Sequence, residues 1–400
     1  MQRSAPSEGM IIASIFVVRF LIGMGIDLYV PSLPAIADYF NVSNHLVQFT
    51  ICFYVLGYGI GQVFLGTLSD SLGRRKILLL SSLSFSVISF LAVFSWNIYF
   101  LIIYRFLQGL CIAGLGSSYR AIAVDCFTGL KLSKVMSYIS ISWALGPILG
   151  PFIGGYLQHY FNWQASFYFF SLYGLVVFVY IFIALPETLQ QLQPLCLRGI
   201  YNTSKYIITH PIFIISTTLL TLVYAILIIF NIVGPFLIQV TLGYSAVYYG
   251  SIALFIGAAY FLGTISNRII INYFYPMQVV LVSIVIALCI SLLTIFINII
   301  IGLNVYTIVI PVAVLIFICG FIFSNIMAKA IGLFPQVAGT ASAMFGSLVA
   351  TGTFLMTLIA TVLKSNTQFP LFITYTVSLF VSLILFMLLL YLNKQHGESV

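Results

Sequence analysis

Apolar runs of about 20 residues recur along this chain, each long enough to carry a helix through a hydrocarbon core about 30 Å thick. They fall at 10–30, 46–67, 77–95, 98–119, 135–157, 163–185, 211–233, 246–266, 277–297, 303–324, 340–363 and 369–392. Twelve such spans consume about 240 residues, close to the 62% hydrophobic share of the 400. Only 6% of the chain is charged, against about 25% in soluble domains. A secreted domain, a cytosolic enzyme with one anchor and a disordered chain are therefore excluded. An outer-membrane barrel is excluded too, because its strands alternate polar and apolar residues and these runs are apolar throughout. The first run is about 21 residues long and has no small-x-small cleavage site, so it reads as a retained span.

The formal net charge of +8 could signal a nucleic-acid partner, but its distribution argues against one. The longest basic run is Arg74-Arg75-Lys76. With the N-terminus placed in the cytoplasm, Arg3, Arg74, Arg75, Lys76, Lys131, Lys134, Arg198, Lys205, Arg268, Lys329 and Lys394 fall on the cytoplasmic side, and Lys364 alone on the other. This positive-inside bias puts both termini in the cytoplasm. Trp96 and Trp163 fall beside the outer loops, where amphipathic rings prefer to sit. The six cysteines form no CxxC pair and read as buried thiols. The four histidines, His45, His159, His210 and His396, have no metal spacing. No HExxH, GxSxG or Walker loop is present. Neither an enzyme, a metal site nor a cofactor is expected.

The longest connection, 186–210, divides the chain into two six-span halves: 1–189, a linker at 190–209, and 210–400. An internal repeat supports the division. Gly66-Thr-Leu-Ser-Asp70 ends span two, and Gly263-Thr-Ile-Ser-Asn267 ends span eight. Duplicated halves around a central path are the usual plan of secondary transporters.

Four stretches carry a family resemblance. The loop after span two continues from Gly66 and Asp70 through Gly73, Arg74 and Arg75. It resembles the signature loop of the major facilitator superfamily, with Ser71 where the family has a basic residue. Arg105-Phe-Leu-Gln108-Gly109 in span four is similar to the superfamily's second motif, whose arginine faces the bundle interior. Gly146-Pro147-Ile-Leu-Gly150-Pro151-Phe-Ile-Gly154-Gly155 in span five is similar to the motif of its proton-coupled exporters. Independently of family, glycines at i, i+4 and i+8 make a smooth stripe for close helix packing, and each proline removes a backbone donor. Asp27-Leu-Tyr29-Val-Pro31-Ser-Leu-Pro34 resembles the Asp-x-Tyr-x-Pro-x-x-Pro signature of the Bcr/CflA group of drug exporters. Phe334-Pro335-Gln-Val-Ala338-Gly339, Asn162-Trp163 and Pro186-Glu187-Thr188 sit where that group has related residues. The resemblance implies an all-α membrane protein of twelve transmembrane helices in two six-helix bundles, exporting drug-like or amphipathic molecules in exchange for protons across the bacterial inner membrane. The implied partners are a small-molecule substrate, protons and membrane lipid, and the implied state is a monomer.

Ionisable residues inside a membrane are costly and mark function by default. Asp27 lies about 25 Å along an outward span and Arg105 about 10 Å along an inward one, which puts them at nearly the same depth. They are expected to communicate, directly or through water, with Asp27 as proton carrier. The alternative is a structural cap ahead of Pro31. Arg19, near the midplane, is either an anchor for an anionic substrate group or a ligand of carbonyls and polar side chains. Arg120 either lines the cavity mouth or snorkels to the surface. Tyr29 and Asn231 complete the candidate substrate contacts. Asp125 follows span four, and the family relation joins it to Asp70 and Arg74 in a cytoplasmic latch, with Val124 where many relatives have an arginine. Spans seven to twelve hold no acidic residue; their polar candidates are Asn231, Gln239, Asn267, Asn304 and Asn325, with Tyr224 and Tyr260 as aromatic surface. Arg19, Arg105 and Arg120 against one deep aspartate leave a second reading open, a transporter of an anionic metabolite such as a carboxylate siderophore.

Overall fold

A computed structural model of the chain describes residues 8–127, 129–189, 197–334, 337–363 and 367–395. Arg3, Pro194, Cys196, Pro335, Lys364 and His396 lie outside the described residues. The described chain is helical: α1 (Glu8–Asp27), α2 (Leu33–Phe40), α3 (Asn44–Leu72), α4 (Arg74–Val93), α5 (Ile98–Cys126), α6 (Gly129–Tyr160), α7 (Gln164–Ala184), α8 (Leu197–Ile208), α9 (Pro211–Pro235), α10 (Ala246–Ile270), α11 (Pro276–Ile301), α12 (Val305–Gly332), α13 (Ala338–Thr361) and α14 (Phe369–Gln395). Twelve helical stretches are long and apolar enough to cross a membrane. The first joins α1 and α2 over Glu8–Phe40. α8 lies within the stretch read from sequence as a linker.

The first span of each half breaks in the same way. Pro31 has no N–H to give the carbonyl of Asp27, so α1 ends at Asp27 and a 3-10 turn, Val30–Ser32, leads into α2. Pro235 stands in the same relation to Asn231, and α9 passes there into a π turn, Phe236–Thr241. Asp27 and Asn231 thus occupy matching places, each four residues ahead of a proline.

The chain forms two compact units, Met1–Gly199 and Ile200–Val400. Within the first, the dominant pairs are α1 with α6, α3 with α5 and α4 with α7; the second holds the matching pairs α9 with α13, α10 with α12 and α11 with α14, while α11 with α12 and α9 with α14 pack more extensively than α11 with α14. Counted as spans, both units pair first with fifth, second with fourth and third with sixth. The sequence repeat is therefore a repeat of packing. Small residues set the closest approaches. A Cβ on Gly57 of α3 would strike the Phe106 carbonyl of α5, and one on Gly263 of α10 would strike the Phe317 carbonyl of α12. Polar bonds tie the outer pairs: Ser86 Oγ donates to the Ser171 carbonyl at 2.7 Å between α4 and α7, and Gln368 Nε2 to Asn298 Oδ1 at 3.1 Å beside α14 and α11. Span four and span ten both start on an asparagine cap. Asn97 Oδ1 accepts from the Tyr99 and Phe100 amides at 3.0 and 3.1 Å, and Asn304 Oδ1 from the Tyr306 amide at 2.9 Å.

Two expectations need correction. Trp163 is not an interfacial ring: it is buried, in edge or tilted contact with Tyr39, Phe40 and Phe167, whereas Trp96 is 80% exposed. Nor are all the thiols buried, since Cys126 and Cys289 are exposed while Cys52, Cys111 and Cys319 are buried.

Gly57→Val and Gly263→Val should each destabilise their unit by about 1–3 kcal/mol, the usual cost of overpacking. Thermal unfolding of the detergent-solubilised protein checks this. Gly9→Ala, where no atom lies within 4 Å of the new Cβ, is the control and should leave the unfolding temperature at or slightly above its starting value.

Candidate functional site

The loop read from Gly66 to Arg75 is a built turn. Gly66 faces Ser117 of α5. Gly73 joins α3 to α4 at φ +103°, and a side chain there would meet the Glu187 carboxylate. That carboxylate accepts from the Arg74 and Arg75 amides at 3.0 and 3.2 Å, capping the positive end of α4. Arg74 pairs with Asp70 one turn back on α3 and, through Nε at 3.2 Å, with Asp125 in the last turn of α5. Ser118 and Ser69 share a hydrogen bond at 3.0 Å beneath them. Arg75 turns instead to the Phe182 carbonyl at 2.8 Å and the Phe182 ring. Ser71 bonds back to carbonyls of its own helix. Partial burial and the Asp125 carboxylate push the neighbouring Cys126 thiol up from its ordinary range. So Asp70, Arg74 and Asp125 do meet, as the family relation implies, and Glu187 is a member that pattern reading did not assign to this cluster.

Deeper in the same unit, Arg105 of α5 is fully buried. Its guanidinium lies between the Tyr29 and Tyr54 rings, 4.1 and 4.2 Å from their centroids. It donates to the Gly25 carbonyl of α1 at 2.9 Å and to Gln108 Oε1 at 2.9 Å, and Gln108 Nε2 passes the chain on to Ser89 of α4 at 2.7 Å. Tyr29 is held by a 2.7 Å bond to Thr50. Arg105 thus reaches α1 two residues before Asp27, at the level the depth argument gives. Tyr54 lies within electrostatic reach of both Arg105 and Asp27.

The glycines of α6 meet α1 along this same segment. Gly146 packs on Gly23, Gly150 on Asp27 and Leu28, and Gly154 on the Leu28 carbonyl. A Cβ added to Gly150 would stand 3.3 Å from the Asp27 Cβ. α6 runs unbroken through Pro147 and Pro151, and Gly155 is buried beside Gly154. Among the described residues Asp27 is the one acidic side chain that is buried.

Arg19 and Arg120, read separately from sequence, lie within electrostatic reach of one another. Arg19 on α1 is 8% exposed and within electrostatic reach of Arg120 on α5 and Tyr58 on α3. Arg120 Nη2 donates to the buried Gln62 Oε1 at 2.9 Å. Arg120 stands near the inner end of span four, three residues before the apolar stretch ends at Ala123, and α5 continues beyond it to Cys126. No spacing rule links positions 19, 58, 62 and 120, which come from three helices.

In the second unit, Asn325 of α12 donates to Asn267 of α10 at 2.9 Å. Asn267 is the repeat counterpart of Asp70, so a neutral amide pair stands where the first unit has its ion pairs. Asn304 is a helix cap, which removes it from the candidate contacts. Asn231 is buried in α9, Gln239 lies in the π turn, and Tyr224 packs on Phe323.

Twin six-span units, with buried charge on the first and fourth spans of one of them, define a multi-span membrane transporter. The model of the Major Facilitator Superfamily matches residues 15–357, and the chain belongs to that family. It is 29% identical over 395 residues to a bicyclomycin resistance protein homolog of Haemophilus influenzae, covering 96% of this chain and 98% of that one. It is also 29% identical over 253 residues to the chloramphenicol resistance protein CraA of Acinetobacter baumannii, covering 63% and 60% of the two chains. Among solved structures, a D-xylose-proton symporter superposes with a TM-score of 0.74 at 14% identity, over 95% of this chain and 97% of that one, a likeness of fold.

Removing the Glu187 cap should cost about 1 kcal/mol. Hydrogen exchange at the Arg74 and Arg75 amides should quicken in Glu187→Ala while the amides of α6 keep their protection.

Proposed function

We propose that the protein is a proton-coupled antiporter that exports amphipathic, drug-like molecules across the bacterial inner membrane, with both termini in the cytoplasm. The observation that carries the proposal is the place of Asp27. It ends α1, it is the buried acid among the described residues, and it packs against Gly150 in the glycine stripe of α6. A stripe without side chains lets α1 and α6 slide or bend at low cost. Such a movement changes how much water and how much of the neighbouring positive charge the carboxylate meets, and so changes its proton affinity. Asp27 takes a proton on one side of the membrane and releases it on the other. Loss of its negative charge weakens the hold on a cationic substrate, which makes the exchange obligatory.

Arg74, bridging Asp70 and Asp125 across α3, α4 and α5, acts on this scheme as a cytoplasmic latch that holds one state and opens in the other. Its uncharged counterpart, Asn267–Asn325, bears less of that load. The resistance proteins among the relatives support a drug-like substrate, and the count of basic residues supports the orientation. A monomer suffices, since each proposed contact lies within one unit.

The test is transport by the full chain in proteoliposomes with an imposed pH gradient, comparing the cationic dye rhodamine 6G with citrate. Rhodamine 6G should move against the proton flux. Asp27→Asn should abolish gradient-driven movement while the variant keeps its unfolding temperature. Undiminished proton-driven transport by Asp27→Asn, or citrate transport in place of the dye, would overturn the proposal.

A further inference from the structure

Two arginines of the first unit lie within electrostatic reach of one another, Arg19 buried and Arg120 half-buried. Arg19 is more than nine-tenths buried, and its Nε is buried with no hydrogen-bond partner. The charge nearest to it in effect is another cation, Arg120. Two guanidiniums held together in an apolar bundle are costly unless an anion joins them. The other described carboxylates lie elsewhere in the unit. Asp70 and Asp125 take Arg74, Glu187 caps α4, Glu8 pairs with Lys131 at 2.8 Å, and Asp38 is exposed on α2. Asp27 stands eight residues beyond Arg19, about 12 Å along the helix.

Around the arginines is a cradle of matching chemistry. Gly116 of α5 presents no side chain, and a Cβ there would lie 3.7 Å from Arg19 Nη1 and 3.8 Å from the Tyr58 hydroxyl. Gln62 holds Arg120 by its carbonyl oxygen, which leaves the amide group to donate. A carboxylate accepts from guanidinium forks, a hydroxyl and an amide together, and an arginine fork matches its planar geometry.

We propose that Arg19, Arg120, Tyr58 and Gln62 form a subsite for the carboxylate of an amphipathic substrate, so that zwitterionic and anionic compounds are taken as well as cations. This rests on the exporter proposal and narrows its substrate class. The substrate's apolar body lies outside the subsite and its carboxylate inside. Tyr58, one turn from Tyr54 on α3, spans the distance between this anion subsite and the Arg105–Asp27 region.

The test uses the full chain in phosphatidylcholine nanodiscs and two xanthene dyes, fluorescein, which carries a carboxylate, and rhodamine 6G, whose carboxyl is esterified. Fluorescence polarisation reads both affinities. Arg19→Gln and Arg120→Gln should each lower the ratio of fluorescein to rhodamine 6G affinity about tenfold or more, the worth of a hydrogen bond to a charged group. Arg19→Lys should keep part of it. Gly116→Val, which fills the cradle without removing a charge, should lower the ratio too, and it stands in if an arginine variant does not fold. Added salt should weaken fluorescein binding more than rhodamine binding. An unchanged ratio in folded variants, or no fluorescein binding by the unaltered chain, would overturn the subsite. Loss of fluorescein binding on changing to phosphatidylglycerol discs would assign the same oxyanion chemistry to a lipid headgroup and overturn the substrate assignment. The exporter proposal fails separately: if the unaltered chain binds fluorescein through the arginines but moves no dye under a pH gradient, the subsite stands and the exporter does not.

Discussion

The close approach of α1 and α6 governs the working part of this molecule. Gly23, Gly146 and Gly154 bring two backbones together where a single β-carbon would collide with a neighbouring carbonyl or backbone atom, and Gly150 keeps the contact tight beside Asp27. In a hydrocarbon solvent no hydrophobic force drives helices together, so contact of this kind rests on van der Waals packing between small residues. The contact runs from Gly23 to Leu28 and therefore contains Asp27. Pro31 adds the second half of the arrangement by ending α1 at that residue. A carboxylate at a helix end, against a surface with no side chains, is on the proposed mechanism a proton site whose surroundings change whenever the two helices shift.

Charge is so scarce here that each charged group is readable. Near the ends of the spans, Asp70, Asp125 and Glu187 are absorbed by Arg74 and the start of α4. In the interior the balance runs the other way, with Arg19, Arg105 and Arg120 against Asp27. Arg105 gives its two terminal nitrogens to a carbonyl and an amide and lies against two aromatic faces, with only its Nε left without a hydrogen-bond partner, and so is built into the bundle. Arg19 shares with Arg105 a buried Nε without a hydrogen-bond partner, but it lies within reach of a second cation, Arg120, rather than against two aromatic rings, and that difference separates a structural arginine from a proposed binding one. The second unit repeats the scaffold with amides in place of charges, as Asn267–Asn325 shows.

Much of the fold was legible in advance because the bilayer imposes a single length and polarity on every span. All twelve spans follow from that constraint. What escaped the sequence depends on which helices touch. Glu187 caps a helix that starts 113 residues earlier, and no local pattern announces such a bond. Arg19 and Arg120 meet because α1, α3 and α5 converge, and Trp163 is buried because Tyr39 and Phe40 fold back over it. Helix ends were misplaced where polar residues extend a helix beyond its apolar run, so Asp125, expected to follow span four, proved to lie in the last turn of α5. The matching proline breaks, four residues after Asp27 and Asn231, emerged only from the structure, where α1 ends at Asp27 and α9 passes into a π turn after Pro235.

The central claim is that proton and substrate compete through Asp27, and it is tested most directly by the proton balance of binding itself. Purified protein in lightly buffered solution with a pH indicator is titrated with rhodamine 6G. The account predicts a net release of protons that rises and saturates with dye binding. Saturable dye binding with no proton release, or with proton uptake, would contradict it.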